Sequence, residues 1–373
     1  MSAGILGRNV RIGKRWPYRV LNFLPSRQLL RYLTWKSGGS GMEAAFDLGP
    51  TLTDCRRLLI LVPEGFTELL ISLPVIQSFY QELPGVSICL LAGPGEAPFL
   101  RAMFGEGRVL ALEPEGFYWG EDHFHALLGS LREMSPELIL NLRAESPPLL
   151  QFMLRATRAP LRVELTPESH WPFHNVTLRP GEQPNHLRRY LLAGQLWQVA
   201  GRPIQPKWSR IHASPGQVEE AAALLAGLNL RPESTRIFLW HDQGVREQLG
   251  ILEKIAEDLM VTGVDQAQLV VNSGVVPYDT PKPPPEVTSR FPTLQVDSTG
   301  ALLGLFASAA GISSMNGVLL HLAGLTQARV NGFFTAADAV FDTSFLNSRL
   351  KIHPLPGGPP VKPAPFKKSI IRK

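Results

Sequence analysis

The sequence predicts an α/β chain made of two successive doubly wound units, and three observations carry that prediction. Apolar runs of strand length alternate with helix-length segments from residue 57 to residue 334, the pattern of parallel strands joined by crossover helices. The alternation breaks once, across residues 201–210, where Pro203 and Pro206 fall. At 373 residues the chain is long enough for a sizeable core on each side of that break.

Leu58-Leu59-Ile60-Leu61-Val62 is continuously apolar and reads as a buried strand. Residues 68–82 follow as a helix that Pro74 is expected to bend, because proline removes a backbone donor and crowds the preceding turn. Val86-Ser87-Ile88-Cys89-Leu90-Leu91 is a second strand, 97–104 a helix, and Arg108-Val109-Leu110-Ala111-Leu112 a third strand. Residues 124–133 read as a helix, Leu138-Ile139-Leu140-Asn141-Leu142 as a strand, and 148–155 and 187–199 as helices. Beyond the break come a helix over 218–228, the strand Arg236-Ile237-Phe238-Leu239-Trp240, a helix over 249–261 and the strand Gln268-Leu269-Val270-Val271. A proline-rich loop, 281–285, precedes a helix containing residues 302–307, a short strand ending near Met315, the turn Asn316-Gly317, a helix through His321, and a strand ending at Phe334. Two such units predict a ligand cleft between them, at the carboxyl ends of their strands.

With 44% hydrophobic and 18% charged residues the chain is globular. No apolar run is long enough to span a bilayer, and the first residues lack a secretory cleavage pattern. Only Cys55 and Cys89 are present, too few for a disulfide scaffold, so a cytoplasmic protein is expected. The charge is segregated. Residues 1–40 hold eight Lys or Arg and no acid, residues 361–373 hold five and no acid, and removing these thirteen from the net +5 leaves the body at −8. An acidic body argues against a nucleic-acid partner, whereas basic ends suit an anionic surface. The division expected is a basic aromatic leader and linker at 1–43, units at 44–200 and 201–350, and a basic, proline-rich tail at 351–373. Trp16-Pro17-Tyr18-Arg19 and Arg31-Tyr32-Leu33-Thr34-Trp35-Lys36 interleave rings and cations, which fits the headgroup layer on the inner face of a membrane. Packing of the leader on the acidic body is the alternative.

The Asn316-Gly317 turn would present free backbone N–H groups and a helix start, a place where a phosphate can be held without a metal. Other constellations carry less. His123 and His125 have no further ligand at structural zinc spacing, Pro172 separates His170 from His174, and Gly93-Pro94-Gly95 lacks the third glycine of a dinucleotide fingerprint. No metal or cofactor is expected.

Over about residues 55–345 the order of these segments resembles glycosyltransferase family 9, the heptosyltransferase-like enzymes. That family opens with an apolar strand and Gly-Asp-x-x-x-x-Leu-Pro; here Thr67-Glu68-Leu69-Leu70-Ile71-Ser72-Leu73-Pro74 follows the first strand and sets Glu68 on the acidic position. Glu137-Leu138-Ile139-Leu140-Asn141-Leu142 resembles its Asp-Leu-hydrophobic strand, and His186-Leu187-Arg188-Arg189-Tyr190 its helix entering the linker. Trp240-His241-Asp242-Gln243-Gly244 resembles the strand ending His-Pro-Gly, and 302–334 the closing Asp-Thr/Ser-Gly-x-x-His-Leu-Ala signature.

The resemblance implies a GT-B-like fold, two Rossmann-like domains facing across a cleft, and inverting, metal-independent transfer of a sugar from a nucleotide-diphosphate donor, ADP-heptose-like, to a lipopolysaccharide or other cell-envelope glycan or glycolipid acceptor. It implies Glu68 as catalytic base and His241, Arg246, Asn316, Gly317, His321 and Asp338 at the donor. Each has a plainer reading: Glu68 as a first-turn acid favoured by the helix dipole, Arg246 as a surface cation, His321 as a core histidine between leucines, His241 as a loop partner and Asp338 as a turn cap. Departures are definite. Counting from His321 puts Asn316, and counting from Gly317 puts Met315, where the family has aspartate; the lysine after His-Pro-Gly is missing, with Arg246 the nearest cation; and Asn272-Ser273-Gly274-Val275 stands where an acid for the ribose is expected. A catalytically inactive binding or scaffold protein is therefore the alternative.

Overall fold

Residues 47–112, 122–144, 146–166, 173–179, 186–204, 211–240, 245–262, 266–274, 282–315, 318–334 and 350–354 are described in a computed structural model. They divide into two units, Met1–Lys207 and Trp208–Lys373.

The first unit begins with α1 (Leu48–Asp54), capped by the Asp47 side chain, which accepts from Gly49 N. It continues with β1 (Arg57–Leu61), α2 (Phe66–Glu82), β2 (Ser87–Ala92), α3 (Ala97–Phe104), β3 (Val109–Ala111), α4 (Asp122–Met134), β4 (Leu138–Asn141), α5 (Pro148–Ala156), β5 (Leu161–Leu165), β6 (Val176–Leu178) and α6 (His186–Gln195). Every strand pair is parallel, in the order β3-β2-β1-β4-β5-β6. The chain therefore winds outward from β1 to one edge, returns to β4 on the other side of β1, and winds outward again. Leu59, Leu61 and Ile139 pack with Phe124, Leu131, Leu150 and Met153 into one core.

Most central expectations held to within a few residues, because strands covered on both faces are apolar throughout. Helix α2 begins at Phe66, earlier than expected, and runs through Pro74 to Glu82. Eleven of its 17 residues are buried, Pro74 among them, and that packing outweighs the backbone bond proline removes. β5 and β6 escaped the reading. Leu161-Arg162-Val163-Glu164-Leu165 looks half-polar yet is buried throughout: Arg162 donates to Phe173 O and Ala159 O, and Glu164 accepts from Thr177 and lies 3.3 Å from His174 Nδ1.

The second unit comprises α7 (Pro215–Ala226), β7 (Thr235–Leu239), α8 (Val245–Thr262), β8 (Ala267–Ser273), α9 (Pro285–Thr288), β9 (Thr293–Val296), α10 (Thr299–Ser308), β10 (Gly311–Met315), α11 (Val318–Gly324), β11 (Val330–Phe334) and β12 (Leu350–Pro354). Its six parallel strands run β12-β11-β10-β7-β8-β9. Ser214 and Gln217 close a reciprocal capping box at the start of α7. The outer strands β9 and β12 were not read from sequence; both are short and incompletely apolar. No helix among the described residues is long and apolar enough to cross a membrane.

α7 and α10 pack closely at Gly304, where an added Cβ would meet the backbone of Gln217 and the Ala221 methyl. Gly304→Ala should destabilise the protein by about 1–3 kcal/mol through overpacking, read from urea unfolding; an unchanged midpoint would show that the helices part without cost. Burial pushes the Cys55 thiol up to about 11, with Glu137 adding to the effect, and burial does the same to Cys89. Thiolate is the nucleophile, so at about pH 8 both should alkylate far more slowly in the native than in the unfolded chain. Equal rates would contradict the burial.

Candidate functional site

In the first unit the winding reverses between β1 and β4, which pair in register from Leu58 with Leu138 to Leu61 with Asn141. The carboxyl edge at such a reversal is the usual ligand position in doubly wound sheets. β1 runs out through Val62, Pro63 and Glu64 to Gly65, which caps α2 at φ 87° and ψ 134°, a backbone region that glycine tolerates and other residues do not.

Two buried charged side chains hold that turn. Arg143, just past β4 and 2% exposed, donates from Nε to Val62 O at 3.1 Å and pairs through Nη1 with Glu64. Its own backbone N–H is held by Asn141 Oδ1 at 3.1 Å, and Asn141 Nδ2 donates to Ser146 Oγ. Burial lowers the Arg143 pKa, opposed by Glu64 and Glu96; those carboxylates keep the guanidinium ionised in a dry setting. From the other side Glu96, at the start of α3, accepts the Gly65 N–H through Oε1 at 2.9 Å. One strand-end loop is thus tied to its neighbours on both sides.

Glu68 lies in the first turn of α2, half-buried. Tyr190 on α6, 1% exposed, donates its hydroxyl to Glu68 Oε2 at 2.5 Å. Phe79 of α2 packs at a tilt on Trp197, in the 3-10 turn that directly follows α6, ring centres 4.9 Å apart. The carboxylate is therefore oriented by the fold and stands at the carboxyl edge beside the switch point, where an acid can accept a proton from a bound hydroxyl.

In the second unit the winding reverses between β7 and β10, and Ser314 Oγ donates to Leu239 O at 3.2 Å across that pair. His241, Asn316, Gly317 and Asp338 lie outside the described residues. Arg246 is exposed at the start of α8, and His321 is buried in α11 beside Leu320 and Leu322. β8 ends in the buried Asn272 and Ser273, but the neighbouring strand delivers an acid to the same edge. Asp297 directly follows β9, and a Cβ on Gly274 would collide with its Oδ1. Its carboxylate also accepts from Gln295 Nε2 at 3.0 Å.

Sequence reasoning singled out Glu68 but missed Arg143, Glu96, Tyr190 and Asp297. A charge directly after the strand-like run Leu138-Ile139-Leu140-Asn141-Leu142, as at Arg143, was the available signal.

No known family's sequence pattern matches the chain, and no curated protein matches it in sequence. Solved structures do match in fold. A glycosyl transferase family 9 structure from Veillonella parvula has a TM-score of 0.59 at 10% identity, over 80% of this chain and 86% of that one. E. coli ADP-heptose LPS heptosyltransferase II has a TM-score of 0.60 at 16% identity, over 81% and 91%. E. coli heptosyltransferase WaaC with ADP has a TM-score of 0.52 at 13% identity, over 81% and 94%. The chain accordingly has the GT-B-like α/β fold of these glycosyltransferases, as a likeness of fold.

The turn before Glu68 yields a direct test. Arg143→Met should cost about 1–3 kcal/mol, since it leaves the buried Val62 carbonyl unpaired, and Arg143→Lys should not restore it, because an ammonium cannot span both partners as a guanidinium does. Urea unfolding of the three proteins measures both; full stability in either variant would mean that the clamp carries no energy.

Proposed function

We propose that the protein is a glycosyltransferase that moves a sugar from a nucleotide-diphosphate donor to a hydroxyl of a cell-envelope glycan or glycolipid, with inversion and without a metal. The observation that carries the reading is an acid, Glu68, oriented by Tyr190 at the switch point of the first unit, in a chain that shares its fold with glycosyltransferases. In this reading residues 44–200 bind the acceptor and residues 201–350 the donor. An ADP-heptose-like donor and a lipopolysaccharide-type acceptor fit best by analogy, since the similar E. coli structures are heptosyltransferases, one of them with ADP.

Glu68 takes the proton from the acceptor hydroxyl as it attacks the anomeric carbon from the face opposite the leaving nucleoside diphosphate. Tyr190 holds the carboxylate, so little reorganisation is needed at the moment of transfer. The Asn316-Gly317 amides and Arg246 receive the diphosphate, with His241 and Asp338 completing the donor contacts. His321 supports that turn by packing inside α11. Asp297 replaces the acid lost after β8 and accepts hydrogen bonds from the ribose hydroxyls. Residues 1–40 bring the protein to the anionic inner face of the membrane, where a lipid-linked acceptor lies.

The missing family aspartate and lysine favour one other reading, a non-catalytic protein that keeps the donor lobe for binding. Incubating the purified chain with nucleotide sugars, with and without glycolipid acceptors, separates the two. Transfer that falls about 10²–10⁴-fold in Glu68→Gln, with donor affinity retained, is expected for the transferase. Asp297→Asn should weaken donor binding several-fold while leaving turnover at saturation. Donor binding without turnover in the unaltered chain would support the second reading, and full activity in Glu68→Gln would remove the base.

A further inference from the structure

The first unit is electrically two-sided. Its connecting helices run back against the parallel strands, so the ends of α2, α4 and α5 share the amino edge of the sheet with the strand starts. Five exposed arginines lie along that edge: Arg56 before β1, Arg108 before β3, Arg132 in the last turn of α4, Arg158 before β5, and Arg202 against the end of α2. The carboxyl edge, by contrast, carries Glu64, Glu68, Glu96 and Asp122, and the guanidinium there, Arg143, is buried and paired with Glu64.

Among the described residues none of these five arginines is paired with an acid. Their contacts are neutral: Arg132 Nε donates to Ala156 O at 3.3 Å, Arg202 Nη2 donates to Glu82 O at 3.2 Å, Arg108 lies 5.2 Å from the centre of the Tyr80 ring, and Arg56 rests against Gly85. A carbonyl or a ring face orients a guanidinium without cancelling its charge. The acids nearby are fewer. Glu137 pairs with Arg57 and Glu106 with Arg101, which leaves Asp54 and Glu133 exposed and Glu82 half-buried. Val199, 59% exposed, stands just before Arg202 in the 3-10 turn Leu196–Ala200, and Gly49 of α1 packs against its carbonyl, so the chain enters the unit beside it. Tyr80 is stacked on Phe104 and covered by Arg108, so its ring is not offered to a nucleic-acid base.

We propose that this amino edge is the face with which the folded chain meets an anionic lipid surface, its guanidinium groups on lipid phosphates and Val199 in the headgroup layer. The acidic carboxyl edge is repelled by the same surface, so the charge pattern also sets the orientation. From Glu82 at the amino edge, α2 runs back to Glu68 over about 21 Å at 1.5 Å per residue. A lipid-linked acceptor would therefore present its reacting sugar at that height above the lipid and not at the bilayer. The inference rests on the reading that the protein works at a membrane, and it adds a folded surface to residues 1–40.

Two measurements on the full chain test it, with neither donor nor acceptor present: sedimentation with phosphatidylcholine vesicles that contain or lack phosphatidylglycerol, and emission from a nitrobenzoxadiazole probe. The probe is attached at Val199→Cys and, in a second protein, at Ala144→Cys on the carboxyl edge; the raised pKa values of Cys55 and Cys89 make the new cysteine the reactive one. At position 199 emission should brighten and shift to the blue on the anionic vesicles alone, while at position 144 it stays unchanged. Arg56→Gln/Arg158→Gln/Arg202→Gln, with residues 1–40 intact, should bind the anionic vesicles at least about tenfold more weakly. Sedimentation with a silent probe at 199, an equal response at 144, or undiminished binding of the triple variant would overturn the proposed face and leave the membrane reading to residues 1–40. Failure to sediment with anionic vesicles would overturn both, and release from them by a single-stranded oligonucleotide would replace the lipid with a nucleic-acid partner. The probe measurements keep their force if the triple variant fails to fold.

Discussion

The guanidinium of Arg143 is the contact on which the turn before α2, and with it the place of the proposed base Glu68, depends. A parallel sheet that winds outward from its middle leaves its two central strand ends without a connecting segment between them, and beyond the backbone bonds Leu142 N to Leu61 O and Val62 N to Leu91 O side chains hold the loop there. Arg143 reaches from the end of β4 to the carbonyl just beyond β1 and to Glu64, and Glu96 reaches from the segment after β2 to Gly65. A lysine or an amide does not meet both demands, since only a guanidinium presents several donors in a rigid plane. With that loop fixed, the first turn of α2 is fixed, and Glu68 with it.

This arrangement separates two tasks that a single residue performs poorly. Arg143 and Glu96 are buried and structural, while Glu68 is half-buried and oriented by a phenol from a helix far along the chain. Preorganised side chains of this kind lower the reorganisation needed when charge moves. The second unit follows a similar logic with different residues. There β8 ends in buried Asn272 and Ser273, and a carboxylate reaches the same edge from Asp297, one strand further out.

Much of the fold was legible because the inner strands must be apolar on both faces. β1, β2, β4, β7 and β8 were visible as runs without any knowledge of their partners. β5 was not, because its burial depends on Arg162 and Glu164 finding partners in a segment after the strand. The candidate site was legible at Glu68, whose distance before Leu73-Pro74 is local. Its supports were not: Arg143 acts across 81 residues, Glu96 across 31 and Tyr190 across 122. Pairings at that range follow from topology, and single-sequence spacing does not contain them.

Amide hydrogen exchange at the start of α2, in the protein without any ligand, measures most directly whether the strand-end side chains hold that turn in advance. Gly65 N–H, bonded to Glu96, and Leu69 N–H, bonded to Gly65 O at 3.0 Å, should exchange as slowly as the amides of β1. Exchange at both positions at the rate of an unstructured peptide would contradict the account, because Glu68 would then have no fixed place from which to act.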